Sequence, residues 1–211
     1  MELEYRGANC VVIKDKKILI VVDPTSNLSV KEANNPDAII LATQENLVPS
    51  EQDAKNFVIN MPGEYEHNDI SVRGIPVQSH IGANEVSENA TMYRLEFDEI
   101  RIAVIGHTVA PLNNDDLENL GMIDIVVIPV GGNGYTLDAR DAATIVRQIS
   151  PKVVVPTHFA DPHVKYEVQQ ESVDEFIKEM GGVHEKTTSL KIKNVTNLLE
   201  VLTVYELART A

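Results

Sequence analysis

The chain has 211 residues, 43% of them hydrophobic and 24% charged, and its 32 acidic against 18 basic side chains give a formal net charge of −14. That length is enough to bury a sizeable core, and no apolar run reaches the roughly 18 residues needed to span a bilayer. So acidic a surface repels phosphate backbones and anionic lipid, and no Lys/Arg cluster offsets it, so neither nucleic acid nor a membrane surface is an expected partner. The opening MELEYRGANC has no basic segment followed by a long apolar one, so no signal peptide is expected. The single cysteine, Cys10, excludes an intrachain disulfide, and its CVVI context predicts a buried, inert thiol in a strand. A cytoplasmic location is the resulting expectation.

Short β-rich runs dominate the first two thirds. NCVVIK, KILIVVD, DAIILAT, NFVINM, ISVRGIPV, TMYRLEF, IRIAVIGH and IDIVVIPV are read as strands from their β-branched content and length. KDKK, PTSN, NNP, PGE, HNDI and FDEI separate them as turns. Three helices follow. NNDDLENLG is acidic at its start and closes on Gly121. LDARDAATIVRQIS sets Ala139, Ala142, Ala143, Val146 and Ile149 on one face, with Asp138 as N-cap. ESVDEFIKEMGG ends on a glycine pair suited to a C-cap. With KVVVPTHF as a further strand and no repeat or linker, the order predicts one α/β domain over residues 1–211.

In α/β folds ligands collect at the carboxyl ends of strands. Four such ends carry polar groups: ATQENLVP, VQSHIG, VIGHTV and VPTHF. Three of them offer a histidine, His80, His107 and His158, and neutral imidazoles from neighbouring strands can share one cation. A lone strand-end histidine is ordinarily structural. His67, His163 and His184 lie in polar contexts and are read as solvated. Glu64 in PGEYE is read as making a structural hydrogen bond. Gly131, Gly132 and Gly134 are read as allowing a tight turn beside the pocket.

The strings YRGANCVVIK, VVDP, PGEYE, VRGIP, IPVGGNGYTLDA, SPKVVVPTHF and VDEFIKEMG, in this order, resemble the metallo-β-lactamase-fold hydrolases. The similarity is to the Zn-dependent hydrolase-like branch related to ascorbate-6-phosphate lactonase, and it extends over about residues 1–185. The resemblance implies a single-domain αββα sandwich with a metal site at the strand ends. It also implies a His-x-His-x-Asp-His turn after an early strand. Here IILATQENLVPS stands in that place, and the ligand positions read Gln44, Asn46, Val48 and Pro49. The glycine–histidine of the first strand reads Gly7–Ala8, and the glycine–aspartate whose carboxylate bridges two metals reads Gly106–His107. The histidine after GIP falls near Ser79, with His80 one place on. His158 is the ligand retained in register.

Val48 and Pro49 have no side-chain donor, and amide oxygens are weak zinc ligands beside imidazole. A two-metal site needs five or six such ligands, so none is expected. Two readings of the pocket stay open: a vestigial one lined by Gln44, Asn46, His80, His107 and His158, or a mononuclear zinc site on His80, His107 and His158. The functional expectation is a metal-free homologue of the hydrolases, a pseudoenzyme kept for binding a small molecule or for assembly. The alternative is a metal-dependent hydrolase with that atypical site. A homo-oligomer, or pairing with an active paralogue, is the further expectation.

Overall fold

A computed structural model describes residues 1–49, 56–67, 69–79, 90–198 and 201–210. Its strands, in chain order, are β1 Glu2–Gly7, β2 Cys10–Asp15, β3 Ile18–Val22, β4 Ile39–Leu41, β5 Phe57–Ile59, β6 Gly63–His67 and β7 Ile70–Val77. They continue with β8 Ala90–Phe97, β9 Ile100–Val104, β10 Ile125–Pro129, β11 Val153–Thr157, β12 Val183–Thr187, β13 Leu190–Lys191 and β14 Thr203–Leu207. The α-helices are α1 Asn114–Leu120, α2 Ala139–Ile149 and α3 Val173–Met180. Among the described residues the strands form two sheets, ordered β13-β1-β2-β3-β4-β5 and β12-β14-β11-β10-β9-β8-β7-β6. The second is antiparallel from β6 to β9 and parallel from β9 through β10, β11 and β14 to β12.

Side-chain alternation along the first sheet explains why it is buried on both faces. Leu3, Tyr5, Val11, Ile13, Ile20, Val22, Ile39 and Leu41 join the core shared with the second sheet. Their neighbours Cys10, Val12, Val21, Ala38 and Ile40 form a second cluster on the opposite face. That face is covered, among the described residues, by 3-10 segments at Ser26–Leu28 and Lys31–Asn34, whose Leu28 and Ala33 pack on it together with Val30 between them. The three α-helices belong to the second sheet's half of the chain. Cys10 is fully buried, and burial pushes its thiol well above the ordinary range, as an inert core cysteine requires.

The helices start and stop where local chemistry dictates. Asn113 and Asp116 make a reciprocal capping box on α1, and Asp138 accepts from the Asp141 amide at 2.8 Å to cap α2. Ser172 caps α3, and Gly181 (φ 61°) ends it. Sequence reading missed β1, β6, β12, β13 and β14. β6 and β12 are edge strands with mostly exposed side chains, so they lack the apolar alternation that marks a half-buried strand. Among the described residues no helix is long and apolar enough to cross a membrane.

Two links across the sandwich set the height of the β4 carboxyl end. The buried Tyr93 on β8 reaches the carbonyls of Ala42 (2.8 Å) and Ile59 (3.0 Å) on the other sheet. The Thr91 amide donates to the Thr43 carbonyl at 2.9 Å. Tyr93→Phe deletes the hydroxyl and leaves the Ala42 carbonyl unpaired; chemical denaturation should show a loss of about 1–2 kcal/mol without change of fold.

Candidate functional site

The site is assembled from residues just beyond five strand ends. Asn9 lies in the β1–β2 turn, Asp23 after β3, Thr43 after β4 and His107 after β9, while Thr157 closes β11 with His158 next. Asp23 is 1% exposed, and its carboxylate accepts from the Thr43 amide (2.7 Å), the Thr43 hydroxyl (2.7 Å) and Asn9 Nδ2 (2.6 Å). The Thr157 hydroxyl donates to Asn9 Oδ1 at 2.7 Å, which fixes the Asn9 amide with its nitrogen toward Asp23. Burial pushes the Asp23 carboxyl up to about 6, against the downward pull of its hydrogen bonds from Thr43 and Asn9.

The two histidines lie beside this network. His107 Nδ1 is 3.4 Å from Thr43 Oγ1, and His158 Nδ1 is 3.1 Å from Gln170 Oε1. Their rings meet edge to face with centroids 5.4 Å apart. Tyr135 packs against both, at 5.5 Å from His107 and 5.6 Å from His158, and Tyr166 lies 5.3 Å from His158. His158 adopts a left-handed φ of 51° and its amide donates to the Ala8 carbonyl at 2.6 Å. Burial pushes its imidazole down to about 4, although the hydrogen bond to Gln170 opposes this.

Two glycines make the packing feasible. A Cβ on Gly106 would lie 2.6 Å from Thr43 Cβ, and one on Gly131 would lie 2.0 Å from the His158 carbonyl. Gly131 thus serves close backbone approach, while Gly132, Asn133 and Gly134 turn through φ of 68°, 56° and 74° to deliver Tyr135.

Of the residues singled out in the sequence, the structure brings His107 and His158 together and places Gln44 nearby. Gln44 donates to Ser79 Oγ at 2.7 Å, and Ser79 bridges to Thr108, the neighbour of His107. His80 lies outside the described residues. Asn46 is exposed and lines a separate cleft with Pro24, Thr25, Val48 and Pro49. An extended turn would set Gln44 and Asn46 on one side, but Glu45–Leu47 is a 3-10 helix. At about three residues per turn, residues two apart diverge.

The remaining expectations resolve individually. Glu64 pairs with Arg73 at 2.8 Å on exposed neighbouring strands. His163 is exposed, whereas His67 stacks on Phe57 at 5.1 Å and His184, on β12, meets Glu206 at 3.0 Å. His184 is therefore a partly buried strand residue rather than a solvated loop one. Asn9, Asp23, Thr157, Tyr135 and Gln170 were missed as site residues. Asp23 had a sequence signal, an acid closing the apolar run ILIVV; Gln170 had none.

Among the described residues, no three His, Cys, Asp or Glu side chains are grouped so as to hold a metal. Asp23, the one buried carboxylate of the site, already accepts three hydrogen bonds, and the residues described here do not fit a two-metal centre.

Two stacked sheets with polar loops gathered at one set of strand ends define the metallo-β-lactamase architecture. The chain belongs to the family described as beta-lactamase superfamily domain, which matches residues 2–158. It is similar to a UPF0173 protein of Pyrococcus furiosus, 26% identical over 212 residues, covering 85% of this chain and 96% of the relative. A UPF0173 metal-dependent hydrolase of Natranaerobius thermophilus is 23% identical, covering 86% of this chain and 97% of its own. Among solved structures, a protein of Thermotoga maritima assigned to the Zn-dependent hydrolases of the metallo-beta-lactamase superfamily superposes with a TM-score of 0.74. It shares 21% identity, with 98% of this chain and 99% of that chain covered.

Two buried groups of the site, Asp23 and His158, give opposite pH dependences. Asp23 is raised from 3.8 to about 6, so its contribution to stability is complete below the lower value and lost as pH rises through about 6. His158 is lowered from 6.5 to about 4, so its contribution is present above 6.5 and lost as pH falls through about 4. Each is worth about 3 kcal/mol at most, so their slopes oppose one another over this window in the wild type. Denaturation midpoints across it should fall on acidification in Asp23→Asn and rise in His158→Gln.

Proposed function

We propose that this chain keeps the metallo-β-lactamase scaffold as a binding or assembly protein that works without a resident metal. The observation that carries the reading is Thr43. It opens the turn where the family resemblance expects metal ligands, and its amide and hydroxyl are both committed to Asp23. The turn that follows offers Gln44, hydrogen-bonded to Ser79, and an outward Asn46 in place of imidazoles. Protein hydrogen bonds thus satisfy a buried acid that would otherwise call for a cation. A small-molecule ligand, self-association or pairing with an active paralogue, and a cytoplasmic setting, belong to this reading.

The second reading is a metal-dependent hydrolase with a mononuclear site on His80, His107 and His158. Its support is the Ser79–Thr108 bridge, which joins the residue before His80 to the residue after His107. The relatives named metal-dependent hydrolases also favour it.

Elemental analysis of protein purified without a polyhistidine tag separates the two. On the proposed reading the chain carries well under one equivalent of zinc, chelation leaves the melting temperature unchanged within a degree or two, and lactone and phosphodiester substrates are not turned over. One equivalent of metal, with a hydrolytic activity lost in both His80→Ala and His158→Ala, would establish the hydrolase instead.

A further inference from the structure

We infer that the cleft beside the Gln44–Val48 turn is a binding site of its own, shaped for a small uncharged polyhydroxyl compound of the sugar class. It rests on the binding reading proposed above and gives that reading a place and a ligand class. The cleft has a volume of about 620 Å³, within the usual range for small-molecule sites. It is lined by the 3-10 turn that follows Thr43 and by the loop that leads from Pro24 to Asn34. Within the turn, the Leu47 amide donates to the Gln44 carbonyl at 3.1 Å and the Val48 amide to the Glu45 carbonyl at 3.2 Å. This winding sends Gln44 toward Ser79 at the histidine end and Asn46 into the cleft.

Among the described residues, five polar side chains line the cleft: Thr25, Ser29, Asn34, Asn46 and Asn56. Asn56 Nδ2 donates to the carbonyls of Asn35 and Ala38, so both its protons are used and Oδ1 remains as a fixed acceptor. Among the described residues neither Asn34 nor Asn46 makes a side-chain hydrogen bond, so each offers two donors and an acceptor. Thr25 holds the N-cap of the 3-10 segment Ser26–Leu28 in the extended conformation that capping uses, with φ −101° and ψ 149°. Its hydroxyl nevertheless makes no cap and stays available to the cleft.

The ligand class follows from what the walls contain. Among the described residues, none that lines the cleft is ionisable, although 24% of the chain is charged. A carboxylate, phosphate or ammonium group would lose hydration there and meet no opposite charge, and the net charge of −14 opposes anions further. A wholly apolar ligand would cover the amides and hydroxyls and leave them unpaired. A nucleobase would find no stacking platform, because no aromatic ring is among the described lining residues. A hydroxyl both donates and accepts, so neighbouring hydroxyls on one small molecule can satisfy amides and hydroxyls alike. The C–H faces of such a molecule would meet Val30, Leu47 and Val48.

Side-chain amide resonances of the ¹⁵N-labelled protein, titrated with glucose, mannose and myo-inositol, test this directly. At least one of the three should shift the Asn34 and Asn46 signals saturably, with a millimolar or tighter dissociation constant. Asn34→Ala and Asn46→Ala should each weaken that affinity roughly three- to tenfold, as loss of one hydrogen bond does. Both side chains are exposed, so neither substitution should disturb the fold. Tighter binding of acetate, inorganic phosphate or methylammonium at matched ionic strength, or of adenosine, would overturn the ligand class. Silence with all three polyols, or an affinity unchanged in both variants, would overturn the site. Metal content measured on the same preparation keeps the two readings apart. Stoichiometric zinc would defeat the metal-free reading and leave the titration to judge the cleft, whereas a silent titration of zinc-free protein would defeat the cleft alone.

Discussion

The Asp23 carboxylate is the constraint around which this end of the sandwich is organised. A charge that is 1% exposed is costly unless its lone pairs are filled, and here three donors from Thr43 and Asn9 fill them. Burial pushes its carboxyl up, against the downward pull of those hydrogen bonds. What the acid obtains instead is geometry. Through Asn9 and Thr157 it joins the turn after β1 to the end of β11, and through Thr43 it joins β3 to β4.

Thr43 transmits that geometry to the second sheet. All three of its polar groups are engaged: amide and hydroxyl by Asp23, carbonyl by the Thr91 amide. Gly106 completes the contact from β9, since any side chain there would collide with the threonine at 2.6 Å. The two sheets therefore meet at their polar ends through side-chain and backbone hydrogen bonds, with a shared apolar core between them. A small β-branched residue with a hydroxyl suits this position because it fills space against Gly106 while offering one donor and one acceptor.

Much of this was legible in the sequence. The long β-branched runs and the three capped helices follow from local patterns, and the pairing of His107 with His158 follows from their places after apolar strands. The resemblance to the metallo-β-lactamase fold put both in one pocket, and the family assignment holds. The expected companionship of Gln44 and Asn46 did not survive, because a 3-10 segment breaks the alternation on which it rested. The network of Asn9, Asp23, Thr157 and Gln170 was illegible for a different reason. Thr157 and Asn9, bonded to each other, stand 148 residues apart, and no local pattern encodes which buried acceptor a distant hydroxyl reaches. β14 was missed in the same way: TVYEL is ordinary in composition, and only tertiary pairing makes it a central strand.

That placement of β14 bears on how the molecule comes together. It sits between β11 and β12 in the larger sheet, and β13 pairs with β1 in the smaller one. Just beyond β14, the Thr210 amide donates to the Tyr5 carbonyl, joining residues 205 apart within a turn's distance of Asn9 and Ala8. Contacts of such sequence separation demand closure of nearly the whole chain before they stabilise anything, so folding should be slow and late-committing. Until the last strand docks, the edges of β11 and β12 stand open, and β11, whose end carries His158, is paired on its β10 side only.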